Sequence, residues 1–370
     1  MLNEKFEVIV VGAGPGGSAG AKECADLGLK TLLIEKRKLP RDKVCSGMLV
    51  SDLAQSEIQS AFGEIPDRIL AGRGFLDGFM FHVPGEDHQE IKKNIPIAWR
   101  KDLDYWLNQK AIKSGVNIWD GTTLKDVSIG SSGHIRLKVN RNGSDEDVFC
   151  EYLIGADGAR SIVRQKLYPE LSVTYVAAYR GFFKENIDID NRYFHCIFPE
   201  GNHHRPFFLH QKDDIFLVEF SANQREIRTF LLTVRNLLAR DYDVDLKVEP
   251  FKADGCLMAC FLYKDLLGGQ FAPCKEKVLL VGEAAGLVFP GTLEGIGPAV
   301  RSGIIAGKSV AKAIESGVSS SKIYLEDMAG LIDKFRSAAK KAGELKNAAS
   351  KGTKCLLDNY TENMQEGFEL

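Results

Sequence analysis

The 370-residue chain contains no apolar run approaching the roughly 20 residues that a membrane-spanning helix needs, which excludes an ordinary helical span. A secretory leader is not expected either, because the strand-like run Val8-Ile9-Val10-Val11 begins within seven residues of Met1. Charge of one sign is also missing. The 48 basic and 50 acidic side chains leave a formal net charge of −2, without the basic excess that would make nucleic acid a general partner. The eight cysteines (Cys24, Cys45, Cys150, Cys196, Cys256, Cys260, Cys274 and Cys355) do not form the dense framework of a small secreted domain, so a reducing cytoplasm is the expected setting. His195, His203, His204 and His210 carry neither an H-x-x-x-H helix nor a paired C-x-x-C, so no metal is expected. Repeats and low-complexity tracts are lacking, and nothing in the pattern speaks to oligomeric state.

What is present is a chain of ordinary globular composition, 44% apolar and 26% charged, and longer than one hydrophobic core usually fills. Two interleaved domains are expected. Residues 6–11 read as a buried strand, 16–28 as an amphipathic helix stopped by Gly28, and 31–35 as a second buried strand, which together make a parallel βαβ unit. Residues 76–95 alternate like a hairpin around Pro84-Gly85-Glu86-Asp87, and Leu103 to Ser114 reads as a helix. Residues 134–155 read as an antiparallel pair turned near Arg141-Asn142-Gly143-Ser144. From about 170 to 265 the composition shifts to Phe-, Tyr- and Val-rich strands, with turns at 200–204 and 211–214 and a helix at 223–240. Cys256 and Cys260 read as core residues on one strand face. A strand at 277–281 then leads to a long helix near Pro298, where proline suits the first helical turn, and the chain is helical from Lys322 onward.

Gly12-Ala13-Gly14-Pro15-Gly16-Gly17 satisfies G-x-G-x-x-G between the first strand and the first helix. Glycine there permits a tight turn and lets the backbone approach a pyrophosphate, whose charge is met by helix N–H groups. Glu35 ends the second strand, where a carboxylate accepts ribose hydroxyls and disfavours a 2′-phosphate; Lys36 follows it. These residues alone fit NAD or FAD.

Three later segments carry a resemblance that separates the two. Gly155-Ala156-Asp157-Gly158-Ala159-Arg160-Ser161-Ile162-Val163-Arg164 resembles the G-A-D-G-x-x-S-x-V-R segment of the hydroxybenzoate-hydroxylase superfamily of FAD enzymes. Val281-Gly282-Glu283-Ala284-Ala285-Gly286 is similar to its G-D-A-A-G segment, with glutamate in place of aspartate, and Arg100, Leu103 and Leu107 resemble its R-x-x-(apolar)-x-x-x-L helix start. The resemblance spans roughly residues 5 to 315. It implies an α/β fold: a Rossmann-like FAD-binding domain from 1–75, 96–168 and 270–320, an inserted antiparallel-sheet substrate domain from 76–95 and 169–269, and C-terminal helices from 321 to 370. It further implies that Arg100 steadies the pyrophosphate or adenosine side, that Asp157 and Gly158 lie beside the flavin, and that Gly282 and Glu283 approach its ribityl chain. The loop Pro290-Gly291-Thr292-Leu293-Glu294-Gly295-Ile296-Gly297 would pass under the flavin, with the N–H groups at its helix start facing the N1 and C2 edge.

Within that superfamily the chain resembles the geranylgeranyl reductase family. Lys43-Val44-Cys45-Ser46-Gly47 is similar to that family's C-x-G segment, which implies flavin contact, with the Cys45 thiol either donating a proton to a substrate carbon or packing there as a small hydrophobe. Phe194-His195-Cys196-Ile197-Phe198-Pro199 is similar to its Y-x-W-x-F-P substrate motif, with Phe194 and Cys196 replacing the tyrosine and tryptophan. Phe194, Cys196, Phe198, Pro199 and Pro290 are thereby expected at the substrate. The implied activity is reduction of a carbon–carbon double bond in an isoprenoid or lipid-like molecule. Hydroxylation of an aromatic or electron-rich substrate by the same fold is the alternative, and a redox mediator without substrate chemistry is a third reading. The halogenase W-x-W-x-I-P motif is absent. So is the C-terminal cysteine cluster of quinone-linked relatives, since only Cys355 lies in the last 95 residues. No second G-x-G-x-x-G occurs, so electrons are expected from transiently bound NAD(P)H or a ferredoxin-like protein. The basic residues Lys334, Arg336, Lys340, Lys341, Lys346, Lys351 and Lys354 read as a solvated helix face or as a peripheral membrane contact.

Overall fold

A computed structural model describes residues 5–83, 85–130, 133–184, 189–199, 206–223, 225–242, 250–349 and 353–368. The chain opens with β1 (Lys5–Val11), α1 (Pro15–Asp26) and β2 (Thr31–Glu35), the two strands pairing in parallel from Val8↔Thr31 to Val11↔Ile34. β1 from Val8 to Val11 and all of β2 are buried, which is why neither alternates in sequence. Next come α2 (Asp52–Phe62), capped by Ser51 Oγ accepting from the Ala54 N–H, then β3 (Leu70–His82), β4 (Gln89–Ala98) and α3 (Arg100–Lys113). β5 (Asn117–Asp120) extends the parallel sheet beyond β2. β6 (Thr122–Ile129), β7 (Ile135–Arg141) and β8 (Ser144–Gly155) form a meander whose last strand returns to β1 in parallel, Val11 beside Gly155.

The chain then builds a second sheet. After α4 (Ile162–Leu167) come β9 (Val176–Phe183), β10 (Tyr193–Ile197), β11 (Phe207–Lys212), β12 (Ile215–Ala222), α5 (Ile227–Asp241) and β13 (Lys252–Met258). The strand order is β13-β9-β12-β11-β10-β3-β4, antiparallel except for the β10–β3 pair. α6 (Tyr263–Leu267), β14 (Cys274–Lys275) and β15 (Val278–Leu280) lead back to the first sheet, where β15 lies parallel to β8 with Leu280 beside Gly155. α7 (Ile296–Ser316), α8 (Ser320–Ala349) and α9 (Thr353–Phe368) complete the chain. β15, β8 and β1 are adjacent and parallel, so the segments after Val11, Gly155 and Leu280 leave the sheet side by side. Three motifs more than a hundred residues apart thus converge at one sheet end, where open α/β sheets bind ligands.

Small residues make that convergence close. α1 crosses α7 so tightly that a Cβ on Gly303 would stand 2.2 Å from the Gly16 carbonyl oxygen, and one on Gly16 would stand 2.9 Å from that of Ala299. In the second sheet, Phe207, Leu209, Phe216 and Val218 face α5 through Val234 and Leu238. The opposite face presents Phe79, Phe81, Phe194 and Cys196 to Met48 and Val50 and, from α9, to Leu357 and Met364.

Several expectations shift. α2, β5 and β6 carry no strong sequence period and were not expected from it. Cys256 lies on β13, but Cys260 lies in the turn after it, so the two share no strand face. β3 and β4 pair as expected, whereas Pro84 of their turn and the turn at 200–204 lie outside the described residues. Among the described residues no helix is long and apolar enough to cross a membrane.

Candidate functional site

The glycine turn is set by sterics. Gly12 has φ +104, and a Cβ there would lie 2.5 Å from the Ala156 carbonyl oxygen; at Gly17 it would lie 1.8 Å from that of Gly12. Gly14 is different. Its nearest neighbour is the Arg41 guanidinium at 3.7 Å, so the turn is open on that flank. α1 has no side-chain cap and no acid in its first turn, which leaves its N-terminal donors available to an anion. Arg41 is held by Glu35 (3.2 Å) and Asp104 (3.1 Å), and Arg100 grips Asp104 through two hydrogen bonds of 2.8 and 3.1 Å. Glu35 also accepts the Ala13 and Arg37 N–H groups, each at 3.0 Å, while Lys36 is exposed. An uncapped helix start and a guanidinium flanking the one open glycine fit a pyrophosphate, with Glu35 at the ribose position. Arg41 was missed by sequence reasoning because it belongs to no local motif.

The second and third motif loops are clasped together. Ser161 caps α4, accepting the Arg164 N–H, and Asp157 braces that cap, accepting from Ser161 Oγ (2.5 Å), Ile162 N (2.6 Å) and Val163 N (3.2 Å), while burial raises its pKa against these hydrogen bonds. Its carboxylate is committed to the backbone that positions Gly158. Arg164, fully buried, donates to the carbonyls of Ala284 (3.0 Å) and Ala159 (2.6 Å), tying the loop after β8 to the loop after β15. Glu283 accepts the Ala259 N–H at 3.0 Å through one oxygen, and its other oxygen faces Gly158, 4.0 Å from where a Cβ would stand. Gly282 donates to Ser302 Oγ.

At the start of α7 the arrangement departs from expectation. The Ile296 and Gly297 N–H groups, assigned above to the flavin edge, donate to Glu294 Oε1 at 2.7 and 2.9 Å, and Ser51 Oγ donates to Glu294 Oε2. Burial pushes the Glu294 pKa up, opposed by those donors. Glu294 was quoted in the motif but not singled out, since a cap cannot be distinguished from a ligand contact without the fold. Gly295 is the N-cap of α7, and Pro290 is buried in the loop before it.

The Cys45–Gly47 loop lies between the two sheets. Cys45 Sγ accepts the Gly47 N–H at 3.3 Å, Arg180 donates to the Cys45 carbonyl at 2.9 Å, and Gly47, at φ +73, packs against Ala98. Ser46 is half-buried between them. Phe194, Cys196 and Phe198 are buried on the face covered by α9, where Tyr360 meets Phe81 and Phe198 edge-on at 5.6 and 5.2 Å; Pro199 is buried beside them. His195 lies 2.9 Å from His82, His210 lies beside Glu219, and His203 and His204 are outside the described residues. No group of three or more metal-ligating side chains occurs among the described residues.

Lys212 was not foreseen at all. It is buried, donates to the Ala98 carbonyl at 3.1 Å and stands over the Trp99 ring, and burial pushes its pKa down to about 8. Because the folded pKa lies below the unfolded value, the unfolded chain binds more protons between about pH 8 and 10.5, and stability rises with pH across that window. The protonated lysine costs about 3 kcal/mol at pH 7. Urea unfolding of the cofactor-free protein should therefore show stability increasing from pH 8 to 10, and Lys212→Met should flatten that slope; an unchanged slope would refute the assignment.

The FAD binding domain family matches residues 82–241. Protein CbrA of Escherichia coli K12 is 24% identical over 304 residues, covering 81% of this chain and 82% of its own. A geranylgeranyl bacteriochlorophyll reductase-like crystal structure from Thermoplasma acidophilum superposes with a TM-score of 0.79 at 20% identity, covering 98% of this chain and 96% of the other. PqsL, a probable FAD-dependent monooxygenase from Pseudomonas aeruginosa, superposes at 0.72 with 15% identity, covering 99% and 100%. These likenesses establish the fold, and the family match supports FAD as the cofactor.

Proposed function

We propose, for a chain with the fold of the p-hydroxybenzoate hydroxylase-like FAD-dependent oxidoreductases, that it reduces a carbon–carbon double bond in an isoprenoid or other lipid-like molecule. The observation that carries this reading is the apolar wall of Phe79, Phe81, Phe194 and Cys196, which is continuous with Met48 and Val50 just beyond the Cys45–Gly47 loop. FAD, when bound, supplies a two-electron redox centre fed by a nicotinamide or a ferredoxin-like donor. The chain's own residues do the rest. The α1 N-terminus and Arg41 hold the pyrophosphate, and Glu35 accepts the ribose. The apolar wall, packed beneath α9, excludes water from that side of the site, and Cys45 holds at Sγ the proton that completes saturation of the alkene carbon. The Arg180 hydrogen bond to the Cys45 carbonyl keeps that loop in place.

Hydroxylation is the second reading, favoured by the likeness to the probable monooxygenase PqsL. Anaerobic turnover separates the two. The FAD-loaded protein is bleached with NADPH, NADH or reduced ferredoxin and then given farnesol and geranylgeraniol under argon. The expected product is heavier by two hydrogens. Product that forms only with oxygen and carries an added oxygen atom would overturn the reductase reading in favour of hydroxylation.

A further inference from the structure

The site-facing side of the second sheet is not uniformly apolar. Phe208, His210 and Lys212 alternate onto one face of β11; Glu219 of β12 stands opposite Phe208, and Arg180 of β9 stands opposite Glu219. All four polar side chains are buried. Arg180 is satisfied by a two-point ion pair with Asp254 and by the Cys45 carbonyl. His210 and Lys212 are not satisfied.

His210 Nε2 lies 3.2 Å from Glu219 Oε2, while Nδ1 of the same fully buried ring has no hydrogen-bond partner. Burial works against charge on Glu219, but the His210 hydrogen bond and the Lys212 and Arg180 charges outweigh it and hold the carboxyl below its ordinary value. Burial holds the His210 pKa below its ordinary value, so the ring carries a single proton; a carboxylate only accepts, so that proton is on Nε2 and Nδ1 is left as a bare acceptor. Lys212, two residues along the strand, places its ammonium against one carbonyl and one aromatic face; it feels the Glu219 charge, but among the described residues it makes no direct ion pair with a carboxylate. An ammonium has three donors, and one carbonyl fills one of them. Buried polar atoms left open in this way mark where a ligand group belongs. The Phe194 ring lies 4.9 Å from the His210 ring, so the open acceptor adjoins the apolar wall.

We infer that His210 Nδ1 and Lys212 Nζ form a hydroxyl-binding subsite, and that the substrate is an amphiphile whose hydroxyl ends at β11 beside the Phe194 ring. A hydroxyl donates to one atom and accepts from the other. An ether or a carboxylate can only accept, which leaves Nδ1 unanswered.

The inference deepens the reductase reading, and two probe pairs keep their failures apart. Binding to the FAD-loaded protein is read from the perturbation of flavin absorbance by farnesol against its methyl ether and by 2-naphthol against 2-methoxynaphthalene. The hydroxyl member of a pair should bind about 10-fold more tightly than its ether. That preference should fall to roughly 2-fold or less in His210→Phe and in Lys212→Met with ether affinity unchanged. His210→Gln, which keeps an acceptor, should retain part of it and covers the case in which the phenylalanine variant fails to load FAD. Discrimination within the naphthol pair alone would remove the isoprenoid reading and leave the subsite standing. Equal binding of hydroxyl and ether in both pairs, silence from all four probes, or a preference that survives both substitutions would overturn the subsite.

Discussion

Replacing Gly17 with alanine should leave a protein that no longer holds FAD. The added Cβ would stand 1.8 Å from the Gly12 carbonyl oxygen and 3.2 Å from the Ala156 side chain, and neither the turn nor the adjoining loop has a flexible side chain that could move away. Relief requires the turn after β1 and the segment after β8 to separate, which displaces the α1 N-terminus from the pyrophosphate position. The expected result is at least a ~100-fold loss of FAD affinity, equivalent to about 3 kcal/mol, together with a lower melting temperature for the apoprotein. Gly14→Ala is the informative comparison. Its Cβ meets nothing closer than Arg41 at 3.7 Å, so the apoprotein should melt within about 2 °C of wild type. Its flavin affinity should fall, because the methyl enters the open flank assigned to the phosphates. Fluorescence titration with FAD and melting curves on both variants check this. A Gly17→Ala protein that purifies with a full complement of flavin would contradict the geometry.

The second large effect is expected at Arg164. Truncation to alanine removes two hydrogen bonds that join the loops after β8 and β15, strands the Ala159 and Ala284 carbonyls in the interior, and opens a cavity the size of a guanidinium. Together these should cost about 3–5 kcal/mol in urea unfolding. Lysine should recover little of it, since a single ammonium cannot span two carbonyls as the planar fork does. A loss below about 1 kcal/mol in the alanine variant, or full recovery by lysine, would show that the clasp does not stabilise the site.

These two residues lie on either side of what a linear reading can reach. Gly17 is legible because its role is local: a strand, a turn and a helix in immediate succession leave only glycine able to fit. Arg164 is visible as a motif letter, but its clasp on Ala284, 120 residues away, is not. Asp157 and Glu294 show the same limit from the other side. Each is an acid in a recognisable loop, and each is occupied by backbone N–H groups of the helix that follows it. Arg41 and Lys212 were out of reach altogether, and His210 was weighed only as a metal ligand. A lysine two residues from a histidine on a strand reads as one more polar pair, and nothing adjacent in sequence indicates that both are buried or that the lysine lies against Gly47.

The glycine turn, the two buried strands around it and the helical C-terminus followed from the amino-acid order, because periodicity and backbone sterics act over a few residues, and FAD in place of NAD was implied by the resemblance of three further short segments to known flavin enzymes. The tertiary structure decided which charges are buried, which carbonyls Arg164 joins and that α9 covers the Phe194 wall. Burial and ion pairing depend on what the fold brings within a few ångströms, and that neighbourhood comes from strands and helices far apart in the chain.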